Sequence, residues 1–368
     1  MRVALVTDRL ANGGAERQLA LLARGLNEKH DVLVLSLAGG VFAEAIEADG
    51  VAIRVFGRRS RWDAGSLLSM MRACARWEPD VIHAWGWTSC LAARPLATKM
   101  HVPLVYGLRS ATANGQIAKG VRPSCMVADL VLSNSHAGAE AFRVPSGKLR
   151  VLYNGMDDAW IHLGRLAAAQ RSDAPPIVVA MVARMVAEKD HPLFIRAAAG
   201  LARTYGDAVR FCLVGHGPRE NLVRELAQGL IASGSLEVVD AGADVTPVLR
   251  RCHVGVLLNP PNSGEGCSNA IMEYMAFGMP VVCSRTGGNP ELVTDQVTGF
   301  VVEPGDEDAL QERLGVLIGD EDTRGRMARA CLCAATAFSR ENMVARTLDA
   351  YRASGARDSS ERRSEGLM

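Results

Sequence analysis

Residues 263–291 read SGEGCSNAIMEYMAFGMPVVCSRTGGNPE, and the rest of the chain is best interpreted outward from this stretch. It places two carboxylates, Glu265 and Glu273, eight positions apart around a polar, glycine-containing turn and the start of a helix. The short apolar run 280–283 follows, and then the glycine pair Gly287–Gly288. Such a stretch can present backbone N–H groups and carboxylates to one ligand at the end of a buried strand.

Short apolar runs alternate with longer amphipathic stretches along the whole chain, which predicts βαβ units and parallel sheets. The predicted strands of the first half are 2–7, 31–36, 51–55, 80–84, 103–106, 129–133 and 149–152. Those of the second half are 177–183, 209–215, 236–241, 254–258, 280–284 and 299–303, and helical patterns follow at 306–318, 321–337 and 339–353. The polar stretch 166–176 is interpreted as a linker between two doubly wound halves.

The predicted fold class is therefore α/β, with two Rossmann-like, doubly wound domains that face a central cleft. The domains are assigned to 1–165 and 166–340, a C-terminal helix at 341–353 is expected to pack back toward the first domain, and 354–368 is expected to be a disordered tail. Ligands of open α/β sheets bind outside the carboxyl ends of the strands, so the loops after the strands are the candidate site.

The composition is that of an ordinary soluble globular protein, with 48% hydrophobic and 22% charged residues in 368. No apolar run is long enough for a membrane span, and the N-terminal apolar run is too short for a signal peptide. Nine cysteines without a paired CxxC motif predict neither disulfides nor a zinc site, which suits the cytoplasm. The net charge of +1 divides into +6 over 1–165 and −5 over the remainder, too modest for a nucleic-acid-binding protein.

The first candidate loop, DRLANGGAER at 8–17, lies between a strand and a helix. Gly13 and Gly14 let the backbone approach a ligand, and the helix start offers free N–H groups to an anion. Taken alone, the double glycine favours an ordinary tight turn, with Glu16 and Arg17 on a solvated helix face.

Two more loops follow strands of the second half. Arg184 and Lys189 stand beside a predicted helix start, where two cations suit a pyrophosphate; a solvated loop paired with Glu188 is the alternative. Gly215 and Gly217, in the turn GHGP, indicate either a purely structural tight turn before a helix or a backbone close to a base or phosphate.

The opening stretch itself predicts a helix that begins near Ser268, a good N-cap, so that the amides of Ser268 and Asn269 face a ligand. A fully helical segment would separate Glu265 from Glu273 by about 12 Å, whereas hydrolytic carboxylate pairs are roughly 5–9.5 Å apart. The two glutamates are therefore predicted to hold different parts of one elongated ligand. For Glu273, a buried carboxylate bonded to the backbone is the alternative.

The ordered set of motifs resembles the family 4 glycosyltransferases, a large retaining group with the GT-B fold. The resemblance rests on Glu265-x7-Glu273, AFGMPVV, GGNPE, GGAER, RMVAEKD, GHGP and VLYNGMD, and extends to about residue 353. It implies transfer of a sugar from a nucleotide sugar to a glycan or polyprenyl-linked acceptor in polysaccharide or glycoconjugate biosynthesis. It also implies front-face chemistry with retention, in which the leaving diphosphate accepts the acceptor's proton, and no metal cofactor.

By position, the resemblance implies that Glu265 binds the donor-sugar hydroxyls, Glu273 the ribose hydroxyls, and Arg184 and Lys189 the diphosphate. Further donor contacts are expected from the turns and the helix start, at Gly13, Gly14, Gly215, Gly217, Gly266, Cys267, Ser268 and Asn269.

One departure concerns the fifth strand, after which many members carry a histidine near the donor sugar. Here the strand ends in Gly107-Leu108-Arg109, and Arg109 is the candidate for that place. His83, after the fourth strand, is the nearest alternative histidine, although a structural role accounts for it equally well. Asn154, in VLYNGMD, and Glu16 are further possible site residues.

The segment RVFGRRSRWD at 54–63 combines basic charge with an aromatic. It suggests either peripheral contact with the inner membrane surface, next to a lipid-linked acceptor, or a solvated basic loop.

Rival activities on the same scaffold are a nucleotide-sugar epimerase, a glycosyl phosphorylase and a non-catalytic nucleotide-sugar binding protein. The Glu265–Glu273 arrangement disfavours an epimerase, and the lack of an evident pyridoxal-phosphate lysine context disfavours a phosphorylase. The presence of Arg184, Lys189 and Glu265 together disfavours a non-catalytic protein.

Overall fold

The structure of the protein is a computed structural model, which describes residues 1–58, 60, 63–113, 115–172, 174–240, 242 and 244–356, without the side chains of 115–117. Arg59, Arg61 and Trp62 of the basic segment, and the tail from 357 onward, lie outside the described residues.

The chain divides into two compact units, the first made of Met1–Gly155 and the segment from Arg340 onward, the second of Met156–Ser339. The strands of the first unit are β1 (Arg2–Thr7), β2 (Asp31–Ser36), β3 (Ala52–Val55), β4 (Val81–Ala84), β5 (Leu104–Leu108), β6 (Leu130–Ser133) and β7 (Leu149–Val151). Its helices up to residue 155 are α1 (Gly14–Asn27), α2 (Val41–Ala48), α3 (Ala64–Trp77), α4 (Trp87–Met100), α5 (Gly115–Val127) and α6 (His136–Ala141). The seven strands form a parallel sheet in the order β3-β2-β1-β4-β5-β6-β7.

The second unit contains a parallel sheet of six strands. They are β8 (Ile177–Val182), β9 (Val209–Val214), β10 (Leu236–Val239), β11 (Val254–Leu257), β12 (Val281–Ser284) and β13 (Gly299–Val302), in the order β10-β9-β8-β11-β12-β13. The helices are α7 (Asp158–Gln170), α8 (His191–Tyr205), α9 (Glu220–Leu226), α10 (Gln228–Ala232), α11 (Thr246–Leu249), α12 (Asn269–Ala276), α13 (Asn289–Leu292), α14 (Glu307–Gly319) and α15 (Glu321–Ala335). Short 3₁₀ turns lie at Ser146–Lys148 in the first unit and at Gly206–Ala208 and Thr336–Phe338 in the second.

The central strands are almost continuously apolar because helices cover both faces of a parallel sheet. In β1, five of the six residues are buried, and β11 and β12 are buried throughout. Helix starts follow these strands with a side-chain cap in several places. Asp190 caps α8 through Leu193 N, and Ser268 caps α12 through Ile271 N, so the helix start predicted near Ser268 is confirmed.

The stretch interpreted as a linker is helical over most of its first half, since α7 continues to Gln170. The reason is the run Leu166-Ala167-Ala168-Ala169, whose residues have high helix propensity and extend the helix until the chain approaches the proline pair Pro175–Pro176. The boundary between the units lies earlier, between Gly155 and Met156.

The C-terminal helix α16 (Arg340–Ala353) belongs to the first unit and packs on α1. Gly25 of α1 permits the close approach, because a Cβ at that position would lie 2.6 Å from a Val344 methyl. Met343, Ala350 and Tyr351 of α16 enter the core beside α1 and β1.

Tyr274 of α12 joins β8 to β11, where the strand order of the second sheet reverses. Its hydroxyl donates to Val256 O at 3.1 Å and accepts from Val182 N at 2.6 Å. Gly255 makes room for the ring, since a Cβ there would lie 2.3 Å from it. The hydroxyl thus satisfies backbone groups of two strands next to the switch point, where ligands of such sheets bind.

We expect Tyr274→Phe to lower the free energy of unfolding by about 1–3 kcal/mol, because it leaves a buried N–H and a buried C=O unpaired. Urea denaturation measures the change. Tyr205→Phe is the matched control, since its half-buried hydroxyl donates to one carbonyl, Gly315 O. An equal loss in the two variants would contradict the bridging role.

Candidate functional site

Lys189 and Glu265 form an ion pair in the second unit. Lys189 lies in the loop after β8 and Glu265 in the loop after β11, so the pair spans the switch point of the sheet. The ammonium Nζ donates to Glu265 Oε1. The lysine side chain is only 8% exposed, against 37% for the glutamate. A cation this buried requires a counter-charge, so the site is built to hold a negative group against Lys189.

The pKa of Glu265 shows which influence dominates there. Burial by itself would raise the pKa of this carboxyl, but the Lys189 charge and hydrogen bond, the Ser268 hydroxyl and the Arg184 charge together outweigh burial. The pKa of Glu265 therefore lies below its ordinary value, and the carboxylate is ionised at neutral pH.

Lys189 also stands out by composition. Of the 41 Lys and Arg residues in the chain, five are lysines, and Lys189 is the only lysine between 156 and 339. Its compact ammonium differs from the planar guanidinium of the arginines that supply the other cations of this region. Lys189 was predicted as a site residue from its loop position, and this contrast in composition would have identified it independently.

Arg184 provides a second cation on the same loop, with an exposed side chain. Its backbone rests on the turn after β9: Met185 N donates to His216 O at 2.9 Å, and Arg219 N donates to Met185 O at 3.0 Å. A Cβ at Gly215 would lie 2.3 Å from Ala183 O, and one at Gly217 would lie 2.6 Å from Met185 O. These glycines therefore let two loops pack closely beneath Arg184.

A network of buried asparagines, which was not predicted from the sequence, connects the loops. Asn259, directly after β11, donates its side-chain amide to Glu188 O at 2.8 Å, and its backbone N donates to Ser284 Oγ at 3.0 Å. Asn289 donates its amide to Asn259 Oδ1 at 3.1 Å. Both asparagines are almost fully buried, so the network fixes the backbone next to Lys189. Asn289 lies within the GGNPE motif, which was the available signal.

The glycine pair after β12 holds the loop that carries Glu265. Gly288 N donates to Glu265 O at 2.8 Å. Gly287 has φ +52°, and a Cβ there would lie 2.3 Å from Glu265 O; a Cβ at Gly264 would lie 2.7 Å from Gly287 N. Glycine is required on both sides of this contact because the two backbones touch.

Helix α12 begins at Asn269, so the segment Glu265–Cys267 is not helical. The separation estimated for a fully helical segment therefore does not apply to Glu265 and Glu273. Gly266, Cys267 and Ser268 are buried in the turn before the helix. Glu273 is only 4% exposed on α12, in keeping with a carboxylate that has partners.

The predicted anion position at the start of α1 is filled by a side chain of the protein. Gly13 is the N-cap of α1 in an extended conformation, and a Cβ there would lie 2.4 Å from Glu16 Oε2. Glu16 also pairs with Arg9 at 3.3 Å. A carboxylate at a helix N-terminus is favourable, so Glu16 lies where a ligand anion was expected. Contact of Gly13 and Gly14 with the donor stays a prediction.

Arg109, Asn154 and His83 lie together in the first unit, at the carboxyl ends of β4 and β5 and after β7. The Arg109 guanidinium lies over the Trp85 ring at 4.1 Å and donates to Asn154 Oδ1 at 3.2 Å. His83 is fully buried, and burial followed by the Arg109 charge lowers its pKa well below the ordinary value. Arg109 is therefore the partly exposed charge of this cluster, and His83 is a neutral group behind it.

Within the described part of the chain, no group of three or more His, Cys, Asp or Glu residues is arranged to hold a metal ion. Nor does any described helix combine the length and apolarity needed to cross a bilayer.

Protein-family models match regions of both units. Residues 12–160 match the model described as Glycosyltransferase Family 4, and residues 165–331 match that described as Glycosyl transferases group 1. The chain belongs to the family 4 glycosyltransferases. The resemblance noted in the sequence is thereby confirmed, and the protein is a glycosyltransferase.

Curated relatives of this glycosyltransferase act on several acceptors. The D-inositol 3-phosphate glycosyltransferase of Acidothermus cellulolyticus is 26% identical over 315 residues, 77% of this chain and 70% of the relative. A mannosyltransferase of Corynebacterium glutamicum, described as GDP-mannose-dependent and acting on a monoacylated α-(1-6)-phosphatidylinositol monomannoside, is 34% identical over 168 residues, 43% of this chain and 42% of the relative.

Among solved structures, Anabaena HepE in complex with UDP superposes with a TM-score of 0.81 at 22% identity, covering 96% of this chain and 100% of that one. The sucrose-phosphate synthase of Thermosynechococcus elongatus superposes with a TM-score of 0.71 at 17% identity, covering 96% and 98%. These similarities establish the GT-B fold class, so the predicted pair of Rossmann-like domains is confirmed.

For this glycosyltransferase, we expect Gly287→Ala to cost about 3 kcal/mol of stability, from left-handed strain and from the collision with Glu265 O. Gly234→Ala is the matched control, because Gly234 has φ +72° and nothing within 4 Å of the added Cβ. It should cost only about 1 kcal/mol. Denaturation curves of both variants measure the difference, and equal losses would mean that the contact with Glu265 is not needed.

Proposed function

We propose that this family 4 glycosyltransferase moves a hexosyl group from a nucleoside diphosphate sugar to a hydroxyl of a glycan or lipid-linked acceptor, with retention at the anomeric carbon. The observation that carries the proposal is the buried Lys189 paired with Glu265 beside the exposed Arg184. Two cations and one carboxylate at a switch point suit a ligand with a dianionic diphosphate next to a hydroxyl-rich sugar.

Donor binding exchanges the partners of this ion pair. The diphosphate replaces the Glu265 carboxylate as the counter-charge of Lys189, and Arg184 binds it from the exposed side. Glu265 is then free to accept hydrogen bonds from the sugar hydroxyls. The exchange keeps the buried ammonium neutralised in both states, so the diphosphate does not have to compensate for an unpaired charge.

In the transfer step, the bond from the anomeric carbon to the diphosphate oxygen breaks, and the bond to the acceptor oxygen forms on the same face. The acceptor's proton passes to the departing diphosphate oxygen. Lys189 and Arg184 stabilise the charge that develops on that leaving group, the role that a metal ion has in other transferases. We therefore propose that no metal cofactor is required.

Two similarities support a nucleoside diphosphate hexose as the donor class. HepE, at 22–23% identity, has been solved with UDP and with UDP-glucose, and the Corynebacterium relative is named as GDP-mannose-dependent. UDP and GDP are accordingly the two probes for binding, and their glucose and mannose conjugates are the first donors to assay.

We expect Glu265→Gln to reduce turnover by about 10²–10³-fold, as for loss of one preorganised site group, while tightening the binding of UDP or GDP by about tenfold. Tightening follows because the substitution removes the carboxylate that competes with the diphosphate for Lys189. Isothermal calorimetry and a donor-consumption assay, each with excess chelator present, measure the two effects.

Lys189→Ala is the companion variant and should weaken diphosphate binding at least tenfold. Lys148→Ala is its control, because Lys148 lies in the first unit, where its Nζ donates to the carbonyls of Met126 and Ala128. Unchanged affinity in Glu265→Gln and Lys189→Ala alike would remove the ion pair from the donor site. Loss of transfer on chelation would refute the metal-free chemistry.

We further propose that the acceptor is a polyprenyl-diphosphate-linked sugar and that the edge of the first sheet contacts the anionic inner membrane surface. Arg54 and Val55 are exposed on β3, the edge strand, and Arg58 follows them. A basic edge with an exposed apolar side chain suits an anionic headgroup region, where each arginine contributes about 1 kcal/mol.

We expect Arg54→Glu to reduce co-sedimentation with vesicles that contain anionic phospholipid by about tenfold, since a charge reversal removes an attraction and adds a repulsion. Arg203→Glu is the matched control, because Arg203 is exposed on α8 of the second unit. Equal binding to neutral and anionic vesicles by the unaltered protein would contradict the membrane contact.

A further inference from the structure

The C-terminal helix contributes one side chain to the cluster around Arg109. Tyr351 of α16 is fully buried, and its hydroxyl lies 2.7 Å from His83 Nδ1. The tyrosine ring meets the imidazole edge-on, with centroids 5.6 Å apart. A residue 268 positions away in sequence therefore fixes the histidine at the end of β4.

The other face of His83 borders Gly107 of β5. The Nε2 atom is buried without a hydrogen-bond partner among the described residues. A Cβ at Gly107 would lie 3.1 Å from His83 Nε2 and 3.7 Å from Arg109 Nε. The absence of a side chain at Gly107 is thus what lets the imidazole and the arginine border the same small space.

Trp85 connects the histidine to the arginine. Its ring is tilted against His83 with centroids 5.2 Å apart, and the Arg109 guanidinium lies over the indole at 4.1 Å. Asn154 accepts from Arg109 Nη1 and so holds the guanidinium from another side. The contacts form one continuous series, from Tyr351 through His83 and Trp85 to Arg109.

We propose that Tyr351 and His83 are positioning residues for Arg109: the hydroxyl fixes the imidazole, the imidazole fixes the indole, and the indole fixes the guanidinium that faces the substrate. The inference rests on the proposed function and on the expectation from the sequence that Arg109 is a site residue. His83 is 0% exposed, so it acts through its neighbours and does not touch the substrate.

The charges of the cluster are consistent with this division of roles. Burial and the Arg109 charge keep His83 uncharged, and burial raises the pKa of Tyr351, so its hydroxyl keeps its proton. Arg109 is then the single cation of the series Tyr351–His83–Trp85–Arg109, and it retains its full charge for an anionic or hydroxyl-rich substrate.

The test is a double-mutant cycle on the full chain with the best donor found above. Tyr351→Phe should lower kcat about fivefold, the effect of losing one hydrogen bond, with the KM for the donor and the Kd for UDP or GDP unchanged. In the Arg109→Ala background, Tyr351→Phe should lower kcat by less than about twofold, because the group that it positions is gone. Tyr205→Phe, which removes a hydroxyl from the second unit, should leave kcat unchanged.

An unchanged kcat in Tyr351→Phe, or an undiminished fivefold drop in the Arg109→Ala background, would overturn the proposal. Gly107→Ala gives an independent arm, since its methyl would displace His83 while Tyr351 stays intact; it should reproduce the kcat effect at unchanged nucleotide affinity. A crystal structure of Tyr351→Phe provides a test that does not depend on an activity assay. An Arg109 guanidinium that still lies over the Trp85 ring would also refute the proposal. Failure of the unaltered protein to bind UDP or GDP would instead count against the proposed function.

Discussion

The ion pair between Lys189 and Glu265 is the constraint on which the rest of the second unit depends. A buried ammonium is unfavourable unless a negative group faces it, so the loops after β8 and β11 must keep a fixed position relative to each other. The pair also sets what can bind, because a ligand must supply an equivalent negative group when it takes the place of the carboxylate.

Backbone packing supplies the required precision. Gly215 and Gly217 bring the turn after β9 against the loop of Arg184, and Gly287 brings the turn after β12 against the loop of Glu265. The hydrogen bond from Asn289 to Asn259 joins the segments that follow β12 and β11. Loops whose backbones are in close contact are rigid, so the loops that carry these charges have little freedom to move apart.

Much of this architecture could be predicted from local sequence. The alternation of apolar runs indicated two parallel sheets, and Ser268 was identified as a helix cap because its hydroxyl acts within four residues. Arg184, Lys189 and Glu265 were selected because each follows a strand, and carboxyl ends of parallel strands share one edge.

What the sequence could not indicate depends on contacts between distant segments. Tyr351 meets His83 across 268 positions, and Tyr274 bridges two strands through a hydroxyl whose partners are backbone atoms. The run 166–169 was interpreted as a linker because of the prolines that follow, yet its leucine and alanines extend α7. Glu16, whose carboxylate lies beside Gly13 at the start of α1, was interpreted either as a solvated residue or as a possible site residue.

The most direct test of the account is a crystal structure of the protein with UDP or GDP bound. We predict that the diphosphate contacts Lys189 Nζ and Arg184, and that the Glu265 carboxylate has left the ammonium and points toward the sugar position. A diphosphate bound elsewhere, with Lys189 and Glu265 still paired, would contradict it.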